Sequence, residues 1–242
     1  MKIAILGYGK MGHAIEKAAQ ERGHSIGVVM DNEQDWASKG CLLGNCDVAL
    51  EFSTPATAVD NISRCIEVGV PVVAGTTGWK EPQLLRTWTE GGGRLFMASN
   101  FSIGLNIMRK VSNYLAVIMD AYDDYDVCIS ETHHKDKKDA PSGTAITLAE
   151  EIVARLGRKR SWEAWEPHFD GDEPVDDILQ IASVRKGDEV GEHEVIYSGP
   201  MDSITLIHHA TDRRCFAEGA VRAAEFLAAH PLPGVYTMDD MI

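Results

Sequence analysis

Over the first hundred residues, short apolar runs alternate with stretches whose apolar residues return every three or four positions. Lys2 to Leu6, Ile26 to Met30, Asp47 to Phe52, Pro71 to Ala74 and Arg94 to Ala98 read as strands. Between them, Met11, Ile15, Ala18 and Ala19 share one helical face, as do Ala58, Ile62, Cys65 and Ile66 within Ala56 to Val68. Lys80 to Glu90 reads as a further helix. A period of 3.6 marks an amphipathic helix, while a short unbroken apolar run bounded by turn residues marks a buried strand. Strict strand–helix alternation of this kind predicts a parallel sheet covered by helices.

The rhythm then changes. Ile103, Ile107, Val111, Leu115 and Ile118 predict one long helix. A short strand at Asp126 to Ser130 leads into the charged loop Glu131 to Thr144, and Ala145 to Leu156 is helical. Gly157 to Asp177 is polar and has little periodicity. Three strand-like runs follow at Ile178 to Val184, Glu194 to Ser198 and Ser203 to His209, joined at Lys186-Gly187-Asp188 and Gly199-Pro200. Consecutive strands with short turns predict an antiparallel or mixed sheet. An Ala-rich helix, Phe216 to Leu227, and a tail, Pro231 to Ile242, end the chain. The predicted class is α/β: an N-terminal Rossmann dinucleotide-binding domain with an inserted α+β domain on a mixed sheet. The last helix returns to the first half, so the expected boundaries are 1–102 with 213–242, and 103–212.

The first predicted strand ends in Gly7-Tyr8-Gly9-Lys10-Met11-Gly12, and the second ends in Asp31. This is the order strand, G-x-G-x-x-G, helix, strand, acid of a dinucleotide site. Gly7 permits the tight turn, Gly9 lets backbone approach a pyrophosphate, and Gly12 lets helix and strand pack closely. The helix N-terminus offers N–H groups to the phosphates, and Asp31 is placed to accept from a ribose diol. The alternative is a glycine-rich structural turn. Asn32 follows Asp31, with no Arg or Lys to hold a 2′-phosphate, so NADH is favoured over NADPH. Ser53-Thr54, Gly75-Thr76-Thr77-Gly78 and Ser99-Asn100-Phe101 end further strands, where ligands of open parallel sheets bind. Together they are expected to wall a nicotinamide ribose.

Composition narrows the field. Of 242 residues, 44% are hydrophobic and 25% charged, as in soluble globular proteins. The net charge of −14 argues against nucleic acid or an anionic membrane surface as a partner. It also makes the basic cluster His133 to Lys138 stand out. The cysteines, Cys41, Cys46, Cys65, Cys128 and Cys215, are odd in number and widely spaced, which fits reduced thiols and gives no zinc pattern. With no leader-like or membrane-spanning run, the expected location is the cytoplasm.

Hydride transfer to a C=N or C=C system also needs a proton, and histidine is the natural donor near neutrality. On a strand Glu131 and His133 share one face and His134 faces the other way. Lys137 reaches the same space if the loop turns back. Ser142-Gly143-Thr144, after Pro141, opens a helix whose hydroxyls and N–H groups suit a carboxylate. His, Lys and a helix N-terminus together suggest a small, multiply anionic substrate. The plainer alternatives are surface charge or metal ligation. Adjacent histidines chelate poorly, and no metal site is expected.

The stretch Glu131 to Ala145, E-T-H-H-K-D-K-K-D-A-P-S-G-T-A, resembles the signature of the 4-hydroxy-tetrahydrodipicolinate reductase (dihydrodipicolinate reductase) family of lysine and diaminopimelate biosynthesis. G-T-T-G at 75–78, N-F-S-x-G-x-N at 100–106, V-R-x-G-D-x-V-G-E-H at 184–193 and F-A-x-G-A-V-R at 216–222 also look like family motifs, in family order. The resemblance implies reduction of a cyclic dicarboxylate with NADH or NADPH, releasing water. It implies His133 as proton donor and acceptor, Lys137 as a second proton donor, and His134 as a substrate contact. Ser142, Gly143 and Thr144 then belong to the substrate site, with Gly143-Thr144 holding a carboxylate. Gly7, Tyr8, Gly9, Lys10, Met11, Gly12, Asp31, Gly75, Thr76, Thr77, Ser99, Asn100 and Phe101 match nucleotide contacts. A homotetramer assembled through the second domain's sheet is implied as well. The glycine loop is compact where some relatives carry an extra residue and an Arg, so Lys10 is expected to take that Arg's phosphate contact.

Overall fold

The computed structural model describes residues 1–79, 82–165 and 176–242. The chain divides into two compact units, Met1–Ile103 with Arg214–Ile242, and Gly104–Arg213. In chain order it forms β1 (Lys2–Leu6), α1 (Lys10–Glu21), β2 (Ser25–Met30), α2 (Glu33–Lys39), a 3-10 turn (Gly40–Asn45), β3 (Val48–Glu51), α3 (Pro55–Glu67), β4 (Val72–Ala74), α4 (Pro82–Glu90) and β5 (Arg94–Met97). Next come α5 (Ile103–Met119), β6 (Asp126–His133), α6 (Gly143–Val153), β7 (Ser161–Trp165), β8 (Ile178–Arg185), β9 (Glu192–Ser198) and β10 (Ser203–His209). The chain closes with α7 (Arg214–Ala229), β11 (Gly234–Tyr236) and a short α8 (Met238–Met241).

The first unit is built on a parallel sheet in the order β11-β5-β4-β3-β1-β2. Both faces are covered, which is why Ile3 to Leu6 and Val48 to Leu50 are apolar without alternation and fully buried. One face packs Ile3, Ile5, Leu50 and Phe96 on Ile15 of α1 and Ala220, Ala224 and Leu227 of α7. The other packs Ala4, Leu6 and Leu95 on Ile62 of α3 and Trp88 of α4. The small residues of α7 permit close approach: a Cβ at Gly219 would lie 1.7 Å from the Phe101 carbonyl oxygen.

Four short elements of this unit, α2, the 3-10 turn, β11 and α8, are absent from the sequence pattern. The strand β11 pairs in parallel with β5 through Gly234, Val235 and Tyr236, too short a run to show any period. The helix α2 is held by its cap, since Asn32 Oδ1 accepts from the N–H groups of Gln34 and Asp35 at 3.0 and 3.1 Å. The helix expected at Lys80 to Glu90 begins at Pro82, and residues 80 and 81 lie outside the described residues.

The second unit carries a mixed sheet in the order β10-β9-β6-β8-β7. The strand β6 pairs in parallel with β8 and antiparallel with β9. Val127, Ile129, Leu179, Ile181, Val195 and Tyr197 pack on Ala145, Leu148, Ala149 and Ile152 of α6. The strand β7 was not expected within the polar stretch Gly157 to Asp177, of which 166–175 lie outside the described residues. Lys159 anchors that region from the inside: its Nζ meets Asp126 Oδ1 at 2.6 Å and donates to the carbonyls of Asp176 and Ile178 at 2.7 and 3.0 Å. The long helix α5 forms as expected, but it buries Leu105, Met108, Ser112, Ala116 and Met119. Ile107, Val111 and Ile118, the residues whose spacing predicts it, are exposed within this chain. Apolar residues occupy more than half of the helix circumference, so the period specifies a helix without choosing the side that packs.

Gly219 tests the close packing of α7. Gly219→Ala forces the Phe101 backbone or the helix to move and is expected to lose ~1–3 kcal/mol or more. Gly44→Ala, where a Cβ meets nothing within 4 Å, serves as control. Urea midpoints for the two variants check this, and equal midpoints would contradict it.

Candidate active site

In the first unit, the glycine loop leaves β1 and enters α1 with two of its three glycines required by space. Gly7 has φ +91°, and a Cβ there would fall 2.4 Å from the Phe52 carbonyl oxygen. A Cβ at Gly12 would fall 2.4 Å from the Gly7 oxygen, whereas Gly9 faces open space. Gly9 caps α1 without a side-chain bond, so the first N–H groups of the helix stay available for an anion. Lys10 is exposed at the head of α1. Asp31 is exposed at the end of β2, and its Oδ1 accepts from the Tyr8 N–H at 2.7 Å. The acid and the glycine loop are thus tied together, and Asn32, Glu33 and Asp35 follow with no basic residue among them.

A hollow of about 310 Å³ lies beside the loop, lined by Met11, Phe52, Ser53, Pro55, Gly75, Thr76 and Thr77. Gly75 makes room for Phe52, whose ring a Cβ would meet at 2.1 Å. Thr76 Oγ1 accepts from the Ser53 N–H at 2.9 Å, joining the loops after β3 and β4. Ser99 and Asn100 follow β5, and Asn100 Oδ1 turns the chain by accepting from the Ser102 N–H at 2.9 Å. Phe101 differs from the rest: its side chain is buried against Phe52 and Phe96. It supports the loop from below, and only its backbone is left for a ligand. An open helix N-terminus, a small-residue turn and a strand-end carboxylate fit a dinucleotide.

In the second unit, β6 runs three residues further than the sequence predicts and ends at His133. Glu131 and His133 therefore share one face, and His134 lies past the strand end. Glu131 Oε2 sits 2.6 Å from His133 Nδ1. Its Oε1 accepts from Arg185 Nη2 at 2.9 Å and from the Ser142 N–H at 3.1 Å. Strand register explains the convergence: His133 stands opposite Arg185 of β8, and Glu131 opposite His193 of β9. Burial alone would push the Glu131 carboxyl upward. The contacts from His133, Arg185 and Ser142 outweigh burial and hold it well below the carboxylate range, so it stays ionised.

Lys137 turns back toward this group and donates to both oxygens of Asp139 at 2.9 and 2.8 Å. Ser142 is buried, and its hydroxyl is used internally: it caps α6 by accepting from the Ala145 N–H at 3.2 Å and meets His193 Nε2 at 3.1 Å. What α6 offers outward is therefore the backbone of Gly143 and Thr144, whose N–H groups take no partner among the described residues. A Cβ at Gly191 would sit 3.0 Å from His133 Nε2, so this glycine keeps the outer edge of the ring clear.

Glu131 was placed beside His133 but given no role, and Arg185, Gly191 and His193 stood only as letters of the 184–193 motif. Glu131 was legible by its period-two relation to His133. The others reach the site only through sheet register. Glu131, His133 and His193 also bring donor atoms within 4.8 Å of one another, the spacing of a metal site. Arg185 and the Ser142 N–H already hold Glu131 Oε1, and a cation would face the guanidinium charge. With the Arg185 guanidinium opposite Glu131, the cluster reads as a charge-balanced, ion-paired group.

The buried His193 provides a measurable check. Burial first, and the neighbouring His133 second, push its pKa down to about 3. The unfolded chain takes up a proton there near pH 6.5, while the folded chain refuses it until about 3. This contribution to stability is complete above pH 6.5 and falls as pH drops from there, by up to ~1.4 kcal/mol per pH unit. NMR titration is expected to show neutral His193 down to pH 4. A midpoint near 6.5 would contradict it.

Family models described as "Dihydrodipicolinate reductase, N-terminus" and "Dihydrodipicolinate reductase, C-terminus" match residues 1–101 and 104–242. The chain is 37% identical to a 4-hydroxy-tetrahydrodipicolinate reductase of Christiangramia forsetii over 244 residues, covering 100% of this chain and 98% of that protein. It is 35% identical to an enzyme of the same name from Archaeoglobus fulgidus over 261 residues, covering 100% of both. A dipicolinate-bound dihydrodipicolinate reductase from Paenisporosarcina sp. TG-14 has the same fold, with TM-score 0.77 at 24% identity over 100% of this chain and 99% of that one. With both halves matched, and two relatives above 30% identity along its whole length, this chain belongs to the dihydrodipicolinate reductase family.

Proposed function

We propose that the chain reduces 4-hydroxy-tetrahydrodipicolinate to tetrahydrodipicolinate with a nicotinamide cofactor and loss of water. The observation that carries this reading is the Glu131–His133 pair, set beside the open N-terminus of α6 in a chain related along its full length to enzymes of that name. Expelling the hydroxyl as water takes up one proton and releases another from the ring. Hydride addition then takes up one more. A bound nicotinamide supplies the hydride, and the protein must supply proton carriers and hold two carboxylates.

Glu131 engages Nδ1 of His133, which leaves Nε2 beside Gly191 to exchange a proton with the substrate. Lys137, steadied by Asp139, is the second proton carrier. The Gly143 and Thr144 N–H groups and His134 bind substrate carboxylates, and the Ser142 hydroxyl shapes that site by capping α6. In the first unit, Gly7 to Gly12 cradle the pyrophosphate, Asp31 the adenosine ribose, and 75–77 with 99–101 the nicotinamide side. NADH is the preferred cofactor, because Asp31 is followed by Asn32, Glu33 and Asp35, and the nearby cations Lys39 and Arg64 are already paired with Asp35 and Glu33 at 2.7 and 3.2 Å. The five free cysteines support a reducing, cytoplasmic setting.

Steady-state kinetics test these roles. His133→Gln and Lys137→Ala are each expected to lose ~10²–10⁴-fold in kcat with the fold intact. Near-normal kcat in both would overturn the assignment. In the same assay kcat/KM is expected to be higher with NADH, and a higher value with NADPH would remove the cofactor preference.

The mixed sheet turns Cys128, Ser130, Gln180 and Ala182 away from α6. They line an open hollow of about 430 Å³ with Trp165 and Ser198. An uncovered sheet face supports a homotetramer joined through this sheet, the assembly the family resemblance implies. Native mass spectrometry is expected to find four chains, and a stable monomer at micromolar concentration would contradict it.

A further inference from the structure

We propose that Arg185 is a positioning residue that couples the two proton carriers, His133 and Lys137, through one nitrogen. Its Nη2 donates to Glu131 Oε1 at 2.9 Å and to the Asp139 carbonyl oxygen at 2.6 Å. Glu131 in turn meets His133 Nδ1 at 2.6 Å, and the Asp139 carboxylate holds Lys137 Nζ at 2.8 Å. A single path of contacts therefore runs from His133 through Glu131, Arg185 and Asp139 to Lys137.

The direction of the guanidinium separates this role from substrate binding. Nη1 donates to the Val184 carbonyl at 2.8 Å, and Nη2 is shared between two protein acceptors. The side chain is only 19% exposed. Arg185 thus spends both terminal nitrogens on the protein, and its Nε is buried without a partner among the described residues. It balances the buried Glu131 charge, which would otherwise lack a permanent cation, and it ties the loop carrying Lys137 to the end of β6. Without it, Glu131 is free to turn from His133, and Asp139 loses the donor that fixes its backbone. A planar guanidinium suits such branching between a carboxylate and a carbonyl.

The inference rests on the reading of His133 and Lys137 as proton carriers, and a mutant cycle keeps the two apart. Arg185→Gln is expected to lower kcat on the order of 10–100-fold, the range for partners that orient active groups, with KM changed less than ~3-fold. In the His133→Gln background the same change is expected to cost at least ~3-fold less in kcat than in the wild type, because one of the two groups it positions is gone. Arg185→Lys, which keeps the charge, should recover part of the loss, and it carries the test if the Gln variant does not fold. Additive losses in the cycle, an effect on KM alone, or full activity of Arg185→Gln and Arg185→Lys would overturn the proposal. Near-normal kcat in His133→Gln itself would instead overturn the proton-carrier reading.

Discussion

The second unit depends on one buried carboxylate being kept charged without water. An ionised group at 1% exposure is tolerated only when paired and hydrogen-bonded. Glu131 meets that demand by drawing in groups from three separate segments: His133 from its own strand, Arg185 from β8, and the Ser142 N–H from the start of α6. The loop between β6 and α6 is therefore pinned at both ends, and its exposed lysines hang from a rigid frame. On the far side, His193 is kept neutral and touches both the His133 ring, edge-on at 5.1 Å, and the Ser142 hydroxyl.

The first unit obeys a different constraint, that of close backbone approach. Gly7, Gly12, Gly75 and Gly219 sit where a Cβ would collide with backbone or ring. These contacts bring the glycine loop, the Phe52 shelf and helix α7 to the sheet at short range. What remains open, Gly9 and the head of α1, is where an anion fits.

These two kinds of order were unequally legible in the sequence. The glycine loop and Asp31 are local: a turn, a helix start and a strand end within one βαβ unit, so residue type and spacing announce them. The pairing of Glu131 with His133 is local too, through the period of a strand. Arg185 and His193 are far from Glu131 in sequence, and only the parallel pairing of β6 with β8 and the antiparallel pairing with β9 bring them in. No pattern in the chain specifies that register by itself. Ser142 illustrates a subtler gap, since a hydroxyl at a helix start suits either a ligand or the helix's own N–H groups, and here the helix claims it. In α5, an apolar arc wider than half the helix left the buried face undetermined.

The strand β11 carries a consequence for how the protein is made. The second unit is one continuous stretch, complete once Arg213 has emerged, whereas the first is split around it. During synthesis from the N-terminus, β5 remains an unpaired sheet edge, and the surface later covered by α7 stays bare until Arg214–Ile242 is delivered. Exposed edges of this kind invite pairing with other chains. The nascent protein thus passes through a stage in which its inserted half is finished and its nucleotide-binding half is still adhesive, waiting on the segment that follows Arg213.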